Sequence, residues 1–289
     1  MNEAFRRLVA RSRRPPGLDA PEGWPPGHFY SPVPDLREIR RRSDLIFADP
    51  PRRLPGIDLN EAGQLALFGE LADLYPSRRF ARFSLENPNF TTEAIVLQCL
   101  MRHLCPRRVV EIGSGHSSCA VLDTSELFLD GSVACTFVEP YPDLLRSLLL
   151  PGDEARIEIL EIGAQDLPTE RVAGIEAGDI LLIDSTHVLK VDSDVTHALF
   201  RLLPSLAAGV HVHFHDVPYP FEYPQQWVFE GRAWNEAYAL RAFLQHNDAW
   251  EVAFFNSFFA RFRAAELERH MPDCSPYAGS SLWLRRVAV

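Results

Sequence analysis

The sequence is short of two kinds of reactive side chain. Lys190 is the only lysine, and Thr186 stands four residues before it, so the Tyr-x-x-x-Lys pair of short-chain dehydrogenases is excluded. The five cysteines are widely spaced and contain no C-x-x-C pair. An odd number of cysteines in this arrangement predicts neither a disulfide framework nor a zinc finger.

Long apolar runs and excess positive charge are also missing. The longest apolar stretches are strand-sized, whereas a membrane-spanning helix needs roughly 20 apolar residues. The arginines near the amino terminus are not followed by the apolar segment of a secretory signal, so we expect a cytoplasmic protein without a membrane span. Lys and Arg number 29 against 39 Asp and Glu, and this net charge of -10 argues against nucleic-acid partners because it repels phosphate backbones.

Proline and hydrophobic periodicity divide the chain. Ten of the 23 prolines lie in the first 60 residues, where they block helix interiors and central strands. Apolar residues at helical spacing follow over 60–75 and again over 91–104. We therefore predict a proline-rich and helical N-terminal extension over residues 1–85, which could serve as a substrate lid, and a main domain over residues 86–289.

After Pro106, short β-branched runs alternate with helix-length segments. The runs cover residues 109–112, 133–138, 157–160, 180–183 and 210–214. This alternation predicts a parallel sheet with helices on both faces. A helix near 234–245 and strands near 250–255 and 281–287 are expected to follow.

The first of these strands runs into a glycine turn, V-V-E-I-G-S-G-H-S-S over residues 109–118. Glycines at such a turn let a ligand approach the bare backbone, although they could also merely shape the turn. Glu139 closes the second strand, where a carboxylate can bind ribose hydroxyls of NAD or of S-adenosylmethionine. Ser118 replaces the third glycine of the dinucleotide fingerprint, which makes NAD the weaker of the two hypotheses.

Acidic and imidazole side chains occur at the ends of the next two strands. Asp184 follows the fourth run, and the fifth run carries His211, His213 and His215 before Asp216. Open α/β sheets bind ligands at the carboxyl ends of their strands, so we expect Asp184, His215 and Asp216 to converge. Strand histidines also serve as core residues, and Asp184 could instead bind only the amine of a cofactor.

Together these motifs resemble those of class I S-adenosylmethionine-dependent methyltransferases, over roughly residues 91–255 and the last strand. The resemblance implies a Rossmann-like, doubly wound α/β fold with a mostly parallel seven-stranded sheet, an antiparallel terminal strand, and S-adenosylmethionine as cofactor. Glu111, Gly113 and Gly115 would lie beneath its methionine part, Glu139 at the ribose and Gln165-Asp166 at the adenine. The cofactor residues implied are Glu111, Gly113, Ser114, Gly115, Ser118, Glu139, Pro140, Gln165, Asp166 and Asp184.

Within that superfamily the strand ends are similar to those of divalent-metal O-methyltransferases that act on small molecules such as catechols. The resemblance implies a metal site of Asp184, His215 and Asp216, and a general base three residues after the first aspartate, at His187. Where those families have a carboxylate pair, this chain has His215-Asp216. The metal is therefore open among Mg²⁺, Mn²⁺, Fe²⁺ and Zn²⁺, because imidazole favours the transition metals.

We predict methyl transfer from S-adenosylmethionine to a small molecule of secondary metabolism, at oxygen, with His187, Asp184 and His215 as catalytic residues. An imidazole can accept the hydroxyl proton near neutral pH. In-line methyl transfer depends mainly on positioning the methyl donor and the acceptor oxygen in a site that excludes water. The aromatic-rich segment 217–238 suits a planar or partly apolar acceptor, and exposed aromatic residues point to a homodimer. Two alternatives stay open: a metal-dependent hydrolase that uses the run from His211 to Asp216, and a catalytically inactive cofactor-binding partner protein.

Overall fold

The computed structural model describes residues 23–87, 90–275 and 279–287. The chain divides into a short unit that ends at Ile46 and a second unit, Phe47–Val289. The short unit contains the helices α1 (Leu36–Arg41) and α2 (Ser43–Ile46). Residues 1–22, which form the arginine-rich beginning of the predicted arm, lie outside the described residues.

The second unit alternates strands and helices, as the hydrophobic pattern predicts. Its strands are β1 (Arg108–Ile112), β2 (Ala134–Val138), β3 (Glu158–Leu160), β4 (Ile180–Ile183), β5 (His211–Phe214), β6 (Trp250–Phe255) and β7 (Leu282–Arg286). Its α-helices are α3 (Glu61–Leu74), α4 (Thr91–Leu104), α5 (His116–Phe128), α6 (Asp143–Leu148), α7 (Thr169–Ala173), α8 (Asp194–His197), α9 (Leu203–Ser205), α10 (Gln225–Phe229), α11 (Glu236–Leu244), α12 (Asn256–Phe262) and α13 (Ala264–His270). A π-helical turn, Ala198–Leu202, joins α8 to α9.

All seven strands form one sheet in the order β3-β2-β1-β4-β5-β7-β6. Strands β1 to β5 pair in parallel, whereas β7 runs antiparallel between β5 and β6. The chain moves outward from β1 to β3 and then returns to place β4 on the other side of β1. This order confirms the predicted Rossmann-like fold and puts a topological switch point between β1 and β4, where such sheets bind ligands.

Two hydrophobic cores cover the two faces of the sheet. Alternate residues of a strand point to opposite faces, so Val110 and Ile112 enter one core while Val109 enters the other. The central strand β4 is buried at every position, which explains its uninterrupted apolar run. Helices α3, α4 and α5 contribute to one core, and α8 and α11 contribute to the other.

A buried ion network joins the segment before α4 to α5. The guanidinium of Arg82 pairs with Asp123 at 2.9 Å and with Asp153 at 2.7 Å, and all three side chains are at least 98% buried. The backbone N–H groups of Ala81, Arg82 and Phe83 also donate to Asp123. These bonds neutralise the charges that burial would otherwise penalise. Within the described parts of the chain, none of the helices has the length and apolar character needed to cross a membrane.

Candidate active site

The glycine turn after β1 is pressed against the end of β4. Gly113 has φ +81°, and a Cβ at this position would lie 1.8 Å from the carbonyl oxygen of Asp184. Only glycine fits, both because the backbone is left-handed and because two backbones meet here. Gly115 is different, because its backbone is extended and a Cβ would meet only a Leu144 methyl at 3.4 Å. The surrounding protein thus leaves space above Gly115 for a ligand to approach the backbone.

Glu111 lies beneath this turn and is fully buried. Its carboxylate accepts hydrogen bonds from the Ser117 hydroxyl and, at 2.6 Å, from the Ser118 hydroxyl. Burial raises the pKa of Glu111 to about 8, although both hydroxyl contacts oppose the rise. The Ser118 hydroxyl also accepts a hydrogen bond from the Gly115 N–H at 3.0 Å. Ser118, which replaces the third glycine of the dinucleotide fingerprint, thus stabilises the turn.

Glu139 stands at the end of β2, beside the turn, where it was predicted. Its carboxylate accepts from the Ser114 N–H at 3.3 Å and from the Tyr141 N–H at 2.9 Å, and it stays half-buried. Gln165 and Asp166 lie in a single 3₁₀ turn after β3, and both are exposed, as is Pro140. These residues follow β2 and β3, and the glycine turn follows β1, so all of them lie at the edge formed by the carboxyl ends of three adjacent parallel strands.

The second predicted group does converge at the ends of β4 and β5. The Nε2 atom of His187 lies 3.5 Å from Oδ1 of Asp184 and 4.0 Å from Oδ2 of Asp216. His215 Nε2 lies 3.7 Å from the other oxygen of Asp216. We refer to Asp184, His187, His215 and Asp216 as the strand-end cluster. A small cavity between β1, β4 and β5 is lined by Glu111, Asp184, His213 and His215, which connects this cluster to the floor of the glycine turn.

The histidines of β5 have separate environments. Burial lowers the pKa of His211 to about 4, with Arg285 adding to the effect. Burial lowers the pKa of His213 to about 3, and its ring packs on Trp283 with centroids 4.8 Å apart. His211 pairs with Ile180 at the beginning of β4, whereas His215 follows the carboxyl end of β5. The run from His211 to Asp216 therefore does not gather at one point, as the hydrolase hypothesis would need.

Opposite charges dominate the strand-end cluster. Burial lowers the pKa of His187, but hydrogen bonds with Asp184 and Glu236 outweigh it and raise the pKa to about 10. Burial likewise opposes protonation of His215, yet Asp184 and Asp216 raise its pKa. For Asp184, burial raises the pKa, and the nearby His215 and His187 more than reverse this and lower it. His187 is therefore protonated at neutral pH, and the base predicted at this position must first release that proton.

The divalent metal stays a prediction. Among residues 23–87, 90–275 and 279–287, no group of three or more His, Cys, Asp and Glu side chains is arranged to hold a metal ion. Two of the predicted ligands, Asp184 and Asp216, face the imidazole of His187 instead. As they are placed, Asp184, His215 and Asp216 do not fit the ion, and no step of the reaction below is assigned to a metal.

Two carboxylates next to the cluster were not assigned a role from the sequence. Glu236 starts α11, and its Oε2 lies 2.9 Å from Nδ1 of His187. Glu93 of α4 is buried and accepts from the Ser280 N–H at 2.9 Å, and its charge helps to raise the pKa of His215. Glu236 lies in the aromatic-rich segment that the sequence does single out, but its partner is 49 residues away, so no local pattern reveals the pairing.

Aromatic rings flank the cluster on two sides. Trp234 packs against the ring of His187 with centroids 4.3 Å apart, and Phe90 packs against His215 at 5.3 Å. Trp234 is held in turn by Tyr223 and Trp227, at centroid distances of 6.1 and 5.4 Å. The segment after β5 thus returns to the active edge of the sheet and places apolar rings beside the titratable groups.

Comparisons with known proteins agree with this geometry. A family model described as a methyltransferase domain matches residues 110–217, from β1 to just after β5. An uncharacterized protein of Archaeoglobus fulgidus is 36% identical over 156 residues, which make up 50% of this chain and 70% of that protein. Because that relative is uncharacterized, the methyltransferase assignment rests on the family model.

Solved structures are similar at lower identity. A methyltransferase of Podospora anserina with bound S-adenosylhomocysteine (SAH) has 13% identity and a TM-score of 0.45, and the match covers 88% of this chain and 97% of that one. The O-methyltransferase TomG of Streptomyces achromogenes, involved in tomaymycin synthesis and solved with S-adenosylmethionine (SAM), has 14% identity, a TM-score of 0.45 and the same coverage. By its family match and its own sheet order, the chain belongs to the class I S-adenosylmethionine-dependent methyltransferases.

Proposed function

We propose that the protein transfers a methyl group from SAM to a hydroxyl oxygen of a small acceptor. One observation carries the proposal: an open glycine turn with an acidic residue beside it shares a sheet edge with a compact group of carboxylates and imidazoles. The first part suits a nucleoside cofactor, and the second suits the handling of a proton. The resemblance noted in the sequence supports secondary metabolism as the setting, and the cytoplasmic location stays a prediction.

The cofactor would lie across the ends of β1, β2 and β3. In this placement the bare backbone at Gly115 faces the methionine part, Glu139 accepts hydrogen bonds from the ribose, and Gln165 and Asp166 border the adenine. When bound, SAM supplies an electrophilic methyl group on a sulfonium. Asp184 ends β4 next to Gly113, close enough to the turn to pair with the cofactor amine.

The acceptor would enter between the aromatic rings of Trp234 and Phe90. Both rings contact imidazoles of the strand-end cluster, so a planar acceptor bound there would bring its hydroxyl to His187. The surrounding carboxylates Asp184, Asp216 and Glu236 repel an anionic group. This arrangement favours a neutral phenol or a related hydroxyl compound over a phosphate or a carboxylic acid.

The strand-end cluster would take the acceptor proton as a unit. His187 already holds a proton at neutral pH, and its Nε2 is within 4.0 Å of two carboxylates. Groups this close titrate together. The proton taken from the acceptor is therefore bound by the group of Asp184, His187 and Asp216 and is not assigned to one of these residues. His187 then presents an N–H to the developing oxyanion, which stabilises it in a water-poor site.

Calorimetric titration of metal-stripped protein with SAM and SAH tests the cofactor. We expect micromolar binding, because the turn and Glu139 are in place without an added ion. Glu139→Ala should abolish the binding heat, whereas Glu170→Ala, which removes an exposed carboxylate in α7, should leave it unchanged. If neither nucleoside binds, the methyltransferase proposal is refuted.

The transfer itself is tested with methyl-labelled SAM and a panel of phenols, catechols and hydroxylated sugars. We expect label on a phenolic oxygen, with and without a chelator. Repeating the titration with Mg²⁺, Mn²⁺, Fe²⁺ and Zn²⁺ examines the metal hypothesis. An ion that binds to the wild type but not to Asp216→Ala, and that is needed for transfer, would show that the side chains rearrange around it. The predicted lid over residues 1–85 and the homodimer stay predictions.

A further inference from the structure

We propose that Glu236 is a positioning residue for His187, holding the imidazole so that Nε2 faces Asp184 and Asp216. For the catalytic role of His187, this inference rests on the function proposed above. The contact between the two side chains stands independently of that function. Glu236 contacts Nδ1 of His187, whereas Asp184 and Asp216 face the other ring nitrogen, Nε2.

Both oxygens of Glu236 are engaged inside the protein. The side chain is 1% exposed, and Oε2 accepts from Nδ1–H of His187 at 2.9 Å. Oε1 accepts from the hydroxyl of Ser185 at 3.2 Å. If the imidazole turned over, a buried carboxylate would lose its strongest donor, and an unpaired buried charge is costly. The ring is therefore restricted to the orientation that directs Nε2 to the cluster.

The same helix start also holds the backbone of His187. This residue has φ +60°, in the left-handed region that a side chain with a Cβ rarely adopts. The N–H groups of Asn235 and Glu236 both donate to its carbonyl oxygen, at 3.0 and 3.2 Å. The Asn235 side chain accepts from the Leu189 N–H at 2.5 Å. The beginning of α11 thus stabilises a strained loop and fixes the ring that the loop carries.

A hydrogen bond between a carboxylate and one imidazole nitrogen has two general effects on the ring. A carboxylate on one imidazole nitrogen selects which nitrogen stays free for chemistry and stabilises the ring when it is charged. Here the other nitrogen is Nε2, which faces Asp184 and Asp216 at the strand ends as an N–H donor. Glu236 also lies in the first turn of α11, where the helix dipole favours a negative charge.

Two-bond ¹H–¹⁵N spectra of protein labelled with ¹⁵N-histidine test the contact without any acceptor. The chain has ten histidines, so His187 is assigned by the signals that vanish in His187→Gln. We expect a hydrogen-bonded proton on Nδ1 of His187. It should persist in Glu236→Gln, whose amide oxygen still accepts, and disappear in Glu236→Ala. Glu222→Gln is the matched control, because Glu222 lies in the same segment and bonds Tyr238 at 2.5 Å; it should not alter the signal.

Kinetics with the panel phenol that is methylated fastest test the consequence. Loss of one donor to a developing oxyanion costs about 10²–10³-fold in kcat. A ring that is only loosened should lose part of that effect, so we expect Glu236→Ala to lose about tenfold or more in kcat, with the KM for SAM within about twofold of wild type. In a His187→Ala background, Glu236→Ala should have no further effect.

Two results would overturn the inference. One is an Nδ1 proton signal that survives Glu236→Ala, which would mean that other groups orient the ring. The other is a pair of rate losses that multiply in the double variant, which would mean that Glu236 acts independently of His187. Absence of SAH binding would instead refute the proposed function, and the spectra would still decide whether Glu236 holds the ring.

Discussion

Replacing Gly113 by alanine separates two demands that the structure makes on one residue. The first demand is the left-handed backbone, with φ +81°. The second is the close approach of the Asp184 carbonyl, whose oxygen would lie 1.8 Å from the new Cβ. Gly131 supplies the matched control, because it has φ +65° and a Cβ added there would have nothing within 4 Å, so Gly131→Ala meets only the first demand.

The magnitudes follow from these two demands. A left-handed conformation costs an L-residue roughly 1–2 kcal/mol, so Gly131→Ala should lose about that much in the free energy of unfolding. Gly113→Ala adds an overpacking cost of typically 1–3 kcal/mol, for a total of about 2–5 kcal/mol. The clash is with backbone, so the turn itself must move to relieve it. That movement shifts the bare backbone at Gly115, and we expect SAH binding to weaken at least about tenfold, or about 1.4 kcal/mol.

Urea denaturation and calorimetry with SAH measure both effects on the same preparations. Gly131→Ala should bind SAH like the wild type, because it lies between α5 and β2, away from the turn. A Gly113→Ala variant that is no less stable than Gly131→Ala would refute the added cost of the close approach between residue 113 and the Asp184 carbonyl. Binding of SAH to Gly113→Ala with unchanged affinity would refute the expected effect on the site, because the contact between the glycine turn and β4 would then not set the shape of the site.

Two further predictions concern buried charge. Arg82→Ala leaves the buried Asp123 without its cation and leaves Asp153 with only the exposed Arg156, so it should lower the free energy of unfolding by about 3–5 kcal/mol in urea denaturation. Arg107→Ala, at an exposed pair, should change the free energy of unfolding by less than about 1 kcal/mol. Equal effects of the two substitutions would show that burial does not matter here. The raised pKa of Glu111 means that the folded state keeps a proton that the unfolded chain releases above pH 4.5. The contribution of Glu111 to the free energy of unfolding should therefore fall as the pH rises from 4.5 to about 8, by up to about 5 kcal/mol. The lowered pKa values of His211 and His213 act in the opposite direction, so the Glu111 contribution is measured as the difference between the wild type and Glu111→Gln. Glu111→Gln should flatten that dependence, and an unchanged profile between pH 5 and pH 8 would contradict the assignment.

Local pattern was enough for most of the architecture. Each of the seven strands begins and ends within one residue of the predicted run, and the two helices before the sheet match the predicted ranges equally well. The alternation of strand and helix segments and the spacing of apolar residues can both be read from residues near one another in the sequence. The same faces of strands and helices are buried in every doubly wound sheet, so these patterns predict the elements directly. The carboxyl ends of parallel strands share an edge, so the convergence of Asp184, His215 and Asp216 also followed from the order of the elements.

The sequence by itself thus determined the fold class, the family and the sheet edge at which the candidate site residues lie. Only the tertiary structure decided what the site residues do to one another. Glu236 reaches His187 because the beginning of α11, 49 residues further along the chain, is hydrogen-bonded to the loop after β4, and no spacing in the sequence specifies that contact. The same contact changes the expected chemistry, since a histidine among three carboxylates keeps its proton where an isolated one would release it. Charge coupling depends on distances through space, and those are set by packing rather than by pattern.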